Sequence, residues 1–220
     1  RLDVLINKKT FLFELKDKDK STKYNPFNLD YINDIIYIDG NFESEKYFFD
    51  YKNDLLKEFS FKNEIKFKNN KYLDIINNKN VVSISVRQNR FSERVKNKYD
   101  PQSILKSEVF VKETVDYIYR SIKYIKTKIN NPKFLLWSND FKNPEKYFPR
   151  DEFCYVINSD DKTLNDFYLL TQCKYFIVGP STFSWWGAWL SNKVDKICIR
   201  PKNLNPSKNI DFWPDKWISI

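Results

Sequence analysis

The sequence predicts an α/β fold in which a parallel sheet carries helices on its faces, and two observations predict it. From about residue 80 onward, short apolar, β-branched runs alternate with helical patterns, the alternation that builds a parallel sheet. Three of those runs also pass directly into polar or hydroxyl-rich segments, which in such a sheet share the carboxyl rim where ligands sit.

The elements follow in chain order. Residues 1–30 are polar, with the charge run KDKDKSTKYNP at Lys16–Pro26, and read as loop. IIYIDG (Ile35–Gly40) reads as a short strand with a turn. Ser44–Phe59 reads as a helix capped by Ser44, with Phe48, Tyr51, Leu55 and Phe59 on one stripe. VVSISV (Val81–Val86) is a strand, and a helix is expected over about Val109–Ile129, where Ile118, Ile122, Ile125 and Ile129 recur at helical spacing before Pro132. FLLWS (Phe134–Ser138) is a buried-type strand, Thr163–Cys173 a helix, and YFIV (Tyr175–Val178) a strand running into GPSTFSWWGAWLS. KICI (Lys196–Ile199) is a last strand closed by Pro201.

Composition narrows the chemistry. The 220 residues are 41% hydrophobic and 18% aromatic, enough to bury one sizeable core or two small ones. Lys and Arg exceed Asp and Glu by 38 to 29, a net charge of +9 with no histidine to titrate. Without His there is no Ser-His-Asp triad, no Cys-His pair, no HExxH zinc site and no Cys₂His₂ finger. Acid–base work falls to Asp, Glu, Tyr, Lys or Cys. The three glycines, Gly40, Gly179 and Gly187, permit neither a GxGxxG loop nor a GxxxxGK loop.

Cys154, Cys173 and Cys198 are widely separated and odd in number, which fits a reducing compartment rather than a disulfide framework. No apolar run approaches the roughly 20 residues of a membrane span, and the first residues do not read as a signal peptide, so a soluble domain is expected. Lysines are interspersed with acids and no basic stripe coincides with a binding motif, so a nucleic-acid partner is not expected. The chain starts with Arg and holds no Met, which suggests a trimmed start with an N-terminal portion missing.

Three segments could carry chemistry. In Gly179–Ser191 a strand meets a helix through Gly-Pro-Ser-Thr, and hydroxyls at a helix N-terminus are either simple caps or part of an anion site. The cluster Trp185, Trp186 and Trp189 surrounds the single alanine, Ala188, in the least lysine-rich stretch. Arg87 directly follows a buried strand, either as a surface residue or as a bidentate cation suited to phosphate, with Arg90 and Arg94 nearby. Asn139 and Asp140 follow another strand, where they form a plain turn or offer a carboxylate to a sugar hydroxyl.

Those three segments, VSISVRQNRF, FLLWSNDF and FIVGPSTFSWWGAWL, resemble in order the signature segments of the bacterial-type α-1,2-fucosyltransferases, glycosyltransferase family 11. There they read approximately HxRRGDY, FSDDxxW and ANSSFSWWGAWL. The last match is highly specific, and the likeness spans roughly residues 30–220. This chain departs from the pattern at Ser85 (for His), Gln88 (Arg), Asn89 (Gly), Arg90 (Asp), Phe91 (Tyr), Asn139 (Asp) and Pro180 (Asn), and the family's glycine-rich opening has no counterpart.

The resemblance implies a GT-B-type architecture, with residues 1–75 the remnant of an acceptor-side region plus a connecting helix and residues 76–220 a Rossmann-like nucleotide-sugar-binding domain, the donor half. It implies inverting, metal-independent transfer of L-fucose from GDP-fucose to a sugar hydroxyl. Arg87 matches the arginine expected at the donor's β-phosphate, and the remaining donor contacts map to Ser85, Gln88, Arg90, Ser138, Asn139, Ser181, Thr182, Phe183 and Ser184. For the general base the candidates are the carboxylates Asp140 and Glu93. The implied partners are a nucleotide sugar and a glycan acceptor, with action in the cytoplasm or peripherally at the inner membrane face. A different nucleotide sugar, or a relative that binds without catalysis, stays open at this point.

Overall fold

The computed structural model describes residues 13–16, 23–26, 36–39, 42–61, 71–78, 80–96, 99–141, 144–157, 162–207 and 209–220. The chain divides into two compact units, Arg1–Tyr51 with Ser207–Pro214 and Lys52–Pro206 with Asp215–Ile220. The first unit runs to residue 51, and a short late segment joins it.

In the first unit Phe13–Lys16 (β1) and Ile36–Asp39 (β2) pair in parallel, Phe13 opposite Ile36 and Lys16 opposite Asp39. β2 lies within the strand expected at Ile35–Gly40, whose two end residues are outside the described ones. β1 corrects the reading of residues 1–30 as loop: FELK alternates apolar and charged residues with the period of a strand, but four residues are too few for that period to stand out. Most of that segment, residues 1–12, 17–22 and 27–30, lies outside the described residues.

The helix expected over Ser44–Phe59 is divided. Ser44 does act as a cap, its hydroxyl accepting from Lys46 N, but of a single 3₁₀ turn, Glu45–Tyr47. A second turn follows at Phe49–Tyr51 before the α-helix Lys52–Glu58 (α1). Glu45 directly follows the cap instead of standing three residues on, so no capping box closes. Asp211 accepts hydrogen bonds from Lys46 Nζ (2.5 Å) and Tyr24 N (2.7 Å). The bond from Lys46, then that from Tyr24, holds its carboxyl below the usual range.

The second unit is built on a six-stranded sheet. Besides α1, its helices and strands are Lys71–Asn78 (α2), Val81–Val86 (β3), Pro101–Lys126 (α3), Lys133–Ser138 (β4), Phe153–Tyr155 (β5), Lys162–Gln172 (α4), Tyr175–Ile177 (β6), Thr182–Leu190 (α5), Ile197–Arg200 (β7) and Ile218–Ser219 (β8). The spatial order is β5-β4-β3-β6-β7-β8, all pairs parallel. Counted from β3, that is the doubly wound order 3-2-1-4-5-6 of a Rossmann-like fold. After β3 the chain builds toward one edge and after β6 toward the other, so a crevice opens between their carboxyl ends.

β3 is buried at all six positions, as a central strand covered on both faces must be. Val82, Ile84 and Val86 share a cluster with Phe134, Leu136, Ile177 and Ile199 and with Val115, Ile118, Ile122 and Ile125 of α3. Alternate residues turn the other way: Leu135 and Phe176 are also buried, on the face covered by α4 and α5. There Gly187 of α5 lies so near α4 that a Cβ would stand 2.9 Å from Leu170 Cβ.

α3 begins eight residues before the sequence expectation. Asp100 caps it, accepting from Ser103 N at 2.8 Å, and Pro101 opens the first turn. Its first turns expose Leu105 and Val109, so no apolar stripe announces them. Its hydroxyls Ser107, Thr114 and Ser121 are buried and donate to the carbonyls four residues back, which keeps that face slim and satisfied. Tyr117, 1% exposed, places its hydroxyl 2.7 Å from Ile199 O and 3.1 Å from Val178 O. It thereby ties α3 to the carboxyl ends of β6 and β7. No helix among the described residues is long and apolar enough to cross a membrane.

Candidate functional site

The crevice between β3 and β6 holds a cavity of about 290 Å³. Ser85, Val86 and Arg87 reach it from the end of β3, and Trp137, Ser138 and Asn139 from the end of β4. Thr163 and Asp166 line it from α4, and Ser181 and Phe183 from the start of α5. The three sequence segments thus meet on one rim, with α4 as a fourth wall.

Each strand end is shaped by its own chemistry. Gly179 comes so close to β3 that a Cβ there would lie 2.1 Å from Ser85 O; only a residue without a side chain brings the β6–α5 turn this near. Asn89, where the resembling motif has Gly, adopts φ 54°, a left-handed conformation that Asn tolerates better than most side chains. Its side chain donates to Asp140 Oδ2 at 3.1 Å. Gln88 and Asn139 clasp each other: Gln88 N donates to Asn139 Oδ1 (2.8 Å), and Asn139 Nδ2 donates to Gln88 O (3.1 Å). Gln88 Nε2 also donates to Asp140 O, 2.7 Å away. Ser138 Oγ donates to the same carbonyl at 2.6 Å.

The arginines separate. Arg87 lines the cavity and forms an ion pair with Glu93. Arg90 turns elsewhere: Nη1 donates to Pro180 O (3.1 Å), Nη2 donates to Pro206 O (2.9 Å), and its guanidinium lies 5.2 Å from the Phe110 ring centre. It is outside the cavity lining and staples loops together. The side chain of Arg94 is outside the described residues.

Ser181 is the N-cap of α5, its Oγ accepting from Ser184 N. Because Ser181 and Phe183 line the cavity, the first turn of α5, with the positive end of its dipole, stands at the cavity wall. Ser184 is 2% exposed and spends its hydroxyl inward, donating to Gly179 O at 2.6 Å. Thr182 is exposed and not part of the lining. The tryptophans are core: Trp185 and Trp189 are buried and stacked, with centroids 6.1 Å apart, and Trp217 lies 5.7 Å from Trp185. At the other end Lys196 Nζ donates to Ala188 O (2.6 Å) and Ser191 O (2.7 Å), satisfying carbonyls at the negative end of the dipole. Ser181→Ala is expected to cost about 1 kcal/mol through the lost cap, read as a lower urea midpoint at unchanged slope.

Sequence reasoning missed Thr163 and Asp166. Asp166 is 7% exposed and stands three and four residues before the buried Leu169 and Leu170, so it lies on the inner face of α4. A carboxylate at helical spacing from two leucines was the available signal. Of the three cysteines, Cys154 is exposed while Cys173 and Cys198 are buried. Burial pushes the Cys198 thiol up to about 12 and the Cys173 thiol well above its usual value, so neither is a nucleophile. Among the described residues no group of three or more acidic or Cys side chains could hold a metal ion.

A family model described as glycosyl transferase family 11 matches residues 18–220. The chain is 31% identical over 191 residues to an Escherichia coli protein named alpha-1,2-colitosyltransferase, covering 82% of this chain and 61% of that protein. It is 32% identical over 109 residues to the Escherichia coli O-antigen biosynthesis glycosyltransferase WbnK, covering 48% of this chain and 36% of that one. The chain thus spans less than two thirds of the length of these curated relatives. No solved structure matches it.

Proposed function

The chain belongs to glycosyltransferase family 11, and from that premise we propose that it forms the donor half of an enzyme transferring L-fucose from GDP-fucose to a sugar hydroxyl in α-1,2 linkage. The observation that carries the reading is the cavity at the sheet's reversal point, where Arg87 and the open N-terminus of α5 face each other's space. Both favour an anion, and neither needs a glycine-rich loop.

The reaction is an inverting displacement at the anomeric carbon. As the bond from that carbon to the diphosphate oxygen breaks, negative charge grows on the leaving diphosphate. Arg87 and the α5 N–H groups neutralise it, so the step needs no metal. Meanwhile the acceptor hydroxyl attacks the opposite side of the sugar and gives its proton to a carboxylate. Neither Asp140 nor Glu93 is part of the cavity lining; of the two we assign that role to Asp140, because Glu93 is ion-paired with Arg87 whereas Asp140 accepts from the neutral side chain of Asn89. Glu93 then orients the guanidinium. The remaining donor-side residues divide between contact (Ser85, Ser138, Asn139, Ser181, Phe183) and loop construction (Gln88, Arg90, Thr182, Ser184). The acceptor is a surface-glycan precursor, in line with the O-antigen role in the name of WbnK; the work is done in the cytoplasm, peripherally at the inner membrane face.

A second donor is favoured by one pairing of facts. The relative matched over 82% of this chain is named for colitosyl transfer, and the first motif departs from the fucosyl pattern at Ser85, Gln88 and Arg90. Calorimetric titration with GDP, GDP-fucose, UDP and ADP at low and moderate salt tests the reading. Guanine-nucleotide binding that survives added salt is the expected result. Preference for UDP or ADP overturns the donor, and binding that vanishes with salt for every nucleotide alike marks a non-specific polyanion surface instead.

A further inference from the structure

Two of the chain's departures from the family pattern meet in the structure. Arg90 stands where that pattern has Asp and Pro180 where it has Asn, and Arg90 Nη1 donates to Pro180 O at 3.1 Å. Their chemistry is complementary. A proline has no N–H and no polar side chain, so its carbonyl is all it offers a partner. An ionised aspartate opposite it would bring a second acceptor, whereas a guanidinium only donates.

The carbonyl that Arg90 takes is one the helix does not use. Pro180 is buried and directly precedes Ser181, the N-cap of α5. Bonding in the helix starts one residue later, where Trp185 N donates to Ser181 O at 3.0 Å. A buried carbonyl outside the ladder needs a donor from elsewhere, and Arg90 brings one from 90 residues away. The other arm of the fork donates to Pro206 O at 2.9 Å, in the loop after β7, and the buried ring of Phe110 on α3 flanks the guanidinium at 5.2 Å. One side chain thus joins the segments that follow β3, β6 and β7. Ser181 and Phe183 line the cavity and Arg90 does not, so Arg90 braces the frame of the anion site without reaching the anion.

We propose that Arg90 is a positioning residue for the donor's diphosphate: by holding the carbonyls of Pro180 and Pro206 it fixes the first turn of α5 at the cavity wall before the donor arrives. The inference rests on the donor-site reading above. A site already in place binds more tightly, because less ordering falls to the binding step. The planar fork suits the task, since it engages two carbonyls at once in a set geometry; a lysine carries the same charge on one flexible ammonium.

The test is calorimetric titration of GDP into the wild-type chain, Arg90→Ala, Arg90→Lys and Ile129→Ala, well below the melting temperature of each. Ile129 is a buried core residue between α3 and β4, at the amino ends of the strands, so its truncation lowers the melting temperature without touching the cavity rim. Arg90→Ala is expected to bind GDP about tenfold more weakly and Arg90→Lys about three- to fivefold more weakly, with Ile129→Ala at the wild-type affinity. Wild-type affinity in Arg90→Ala overturns the inference while the donor site stands. Full affinity in Arg90→Lys alone also overturns it, because charge and not the fork then accounts for the effect. A loss in Ile129→Ala as large as in Arg90→Ala overturns it as well, tracing the effect to general stability. If the wild-type chain binds no GDP, the donor-site reading falls and this inference with it. Should Arg90→Ala fail to fold, Arg90→Lys against Ile129→Ala decides: weaker binding in the first alone is the expected result, and equal affinities overturn the proposal.

Discussion

Arg87→Ala is expected to lower kcat/KM for the donor by about 10²- to 10³-fold, the usual loss when a group aimed at developing charge is removed. Arg87 leaves β3 directly into the cavity, and β3 is buried at every position, so the base of its side chain is held by the most rigid part of the sheet. Its partner Glu93 is supplied by the turn Ser92–Arg94 and limits the guanidinium's freedom before any ligand arrives. Arg87→Lys is expected to recover only part of the loss, because an ammonium restores the charge without the planar fork that meets two phosphate oxygens. Steady-state kinetics with varied donor, alongside direct titration of GDP, checks both variants. Turnover untouched in Arg87→Ala would sink the mechanism proposed for this chain.

Gly179→Ala is expected to be the most damaging small substitution to stability, at about 3 kcal/mol or more. The added methyl would stand 2.1 Å from Ser85 O and 2.9 Å from Ser85 C. Both are backbone atoms of a central strand, so no side chain can swing aside to make room. Relief requires moving the β6–α5 turn away from β3, which also opens the cavity. Gly187→Ala provides the contrast. There the new methyl meets Leu170 Cβ at 2.9 Å, which no rotamer change moves, and Cδ1 at 3.2 Å, so the two helices must ease apart by a few tenths of an ångström; Ala offsets part of that cost by favouring the helix by about 1 kcal/mol over Gly. A smaller loss than for Gly179→Ala is expected. Urea unfolding of the two variants side by side checks the prediction, and equal midpoints would refute the steric account.

Particular elements show how far the sequence could be read. β3, β4, β6 and β7 were legible to within a residue because each is an apolar, β-branched or aromatic run with turn residues at its ends. β5 and β8 were not. They are three and two residues long, too short for a period, and exist because a neighbouring strand already offers an edge. α2 and the first turns of α3 were missed for a related reason: their boundaries rest on caps and on contacts made later in the chain. For the site, Arg87, Ser138, Asn139, Ser181 and Phe183 were legible as strand-end and helix-start residues and do line the cavity. Arg90, Ser184 and Asp166 could not be placed from the sequence, since all three are polar residues in or beside motifs and nothing local tells inward from outward.

By itself the sequence determined the parallel α/β plan, the restriction of acid–base chemistry by the absence of histidine, and the family, through GPSTFSWWGAWLS. These are properties of composition, of local period and of one specific string. Only the tertiary structure decided which polar groups face the cavity. Arg90 is held by the carbonyls of Pro180 and Pro206, 90 and 116 residues away. Asp166 is buried where α4 packs on α5 and α2. A long or buried side chain takes its direction from partners, and when those partners come from distant parts of the chain, only the assembled fold brings them together.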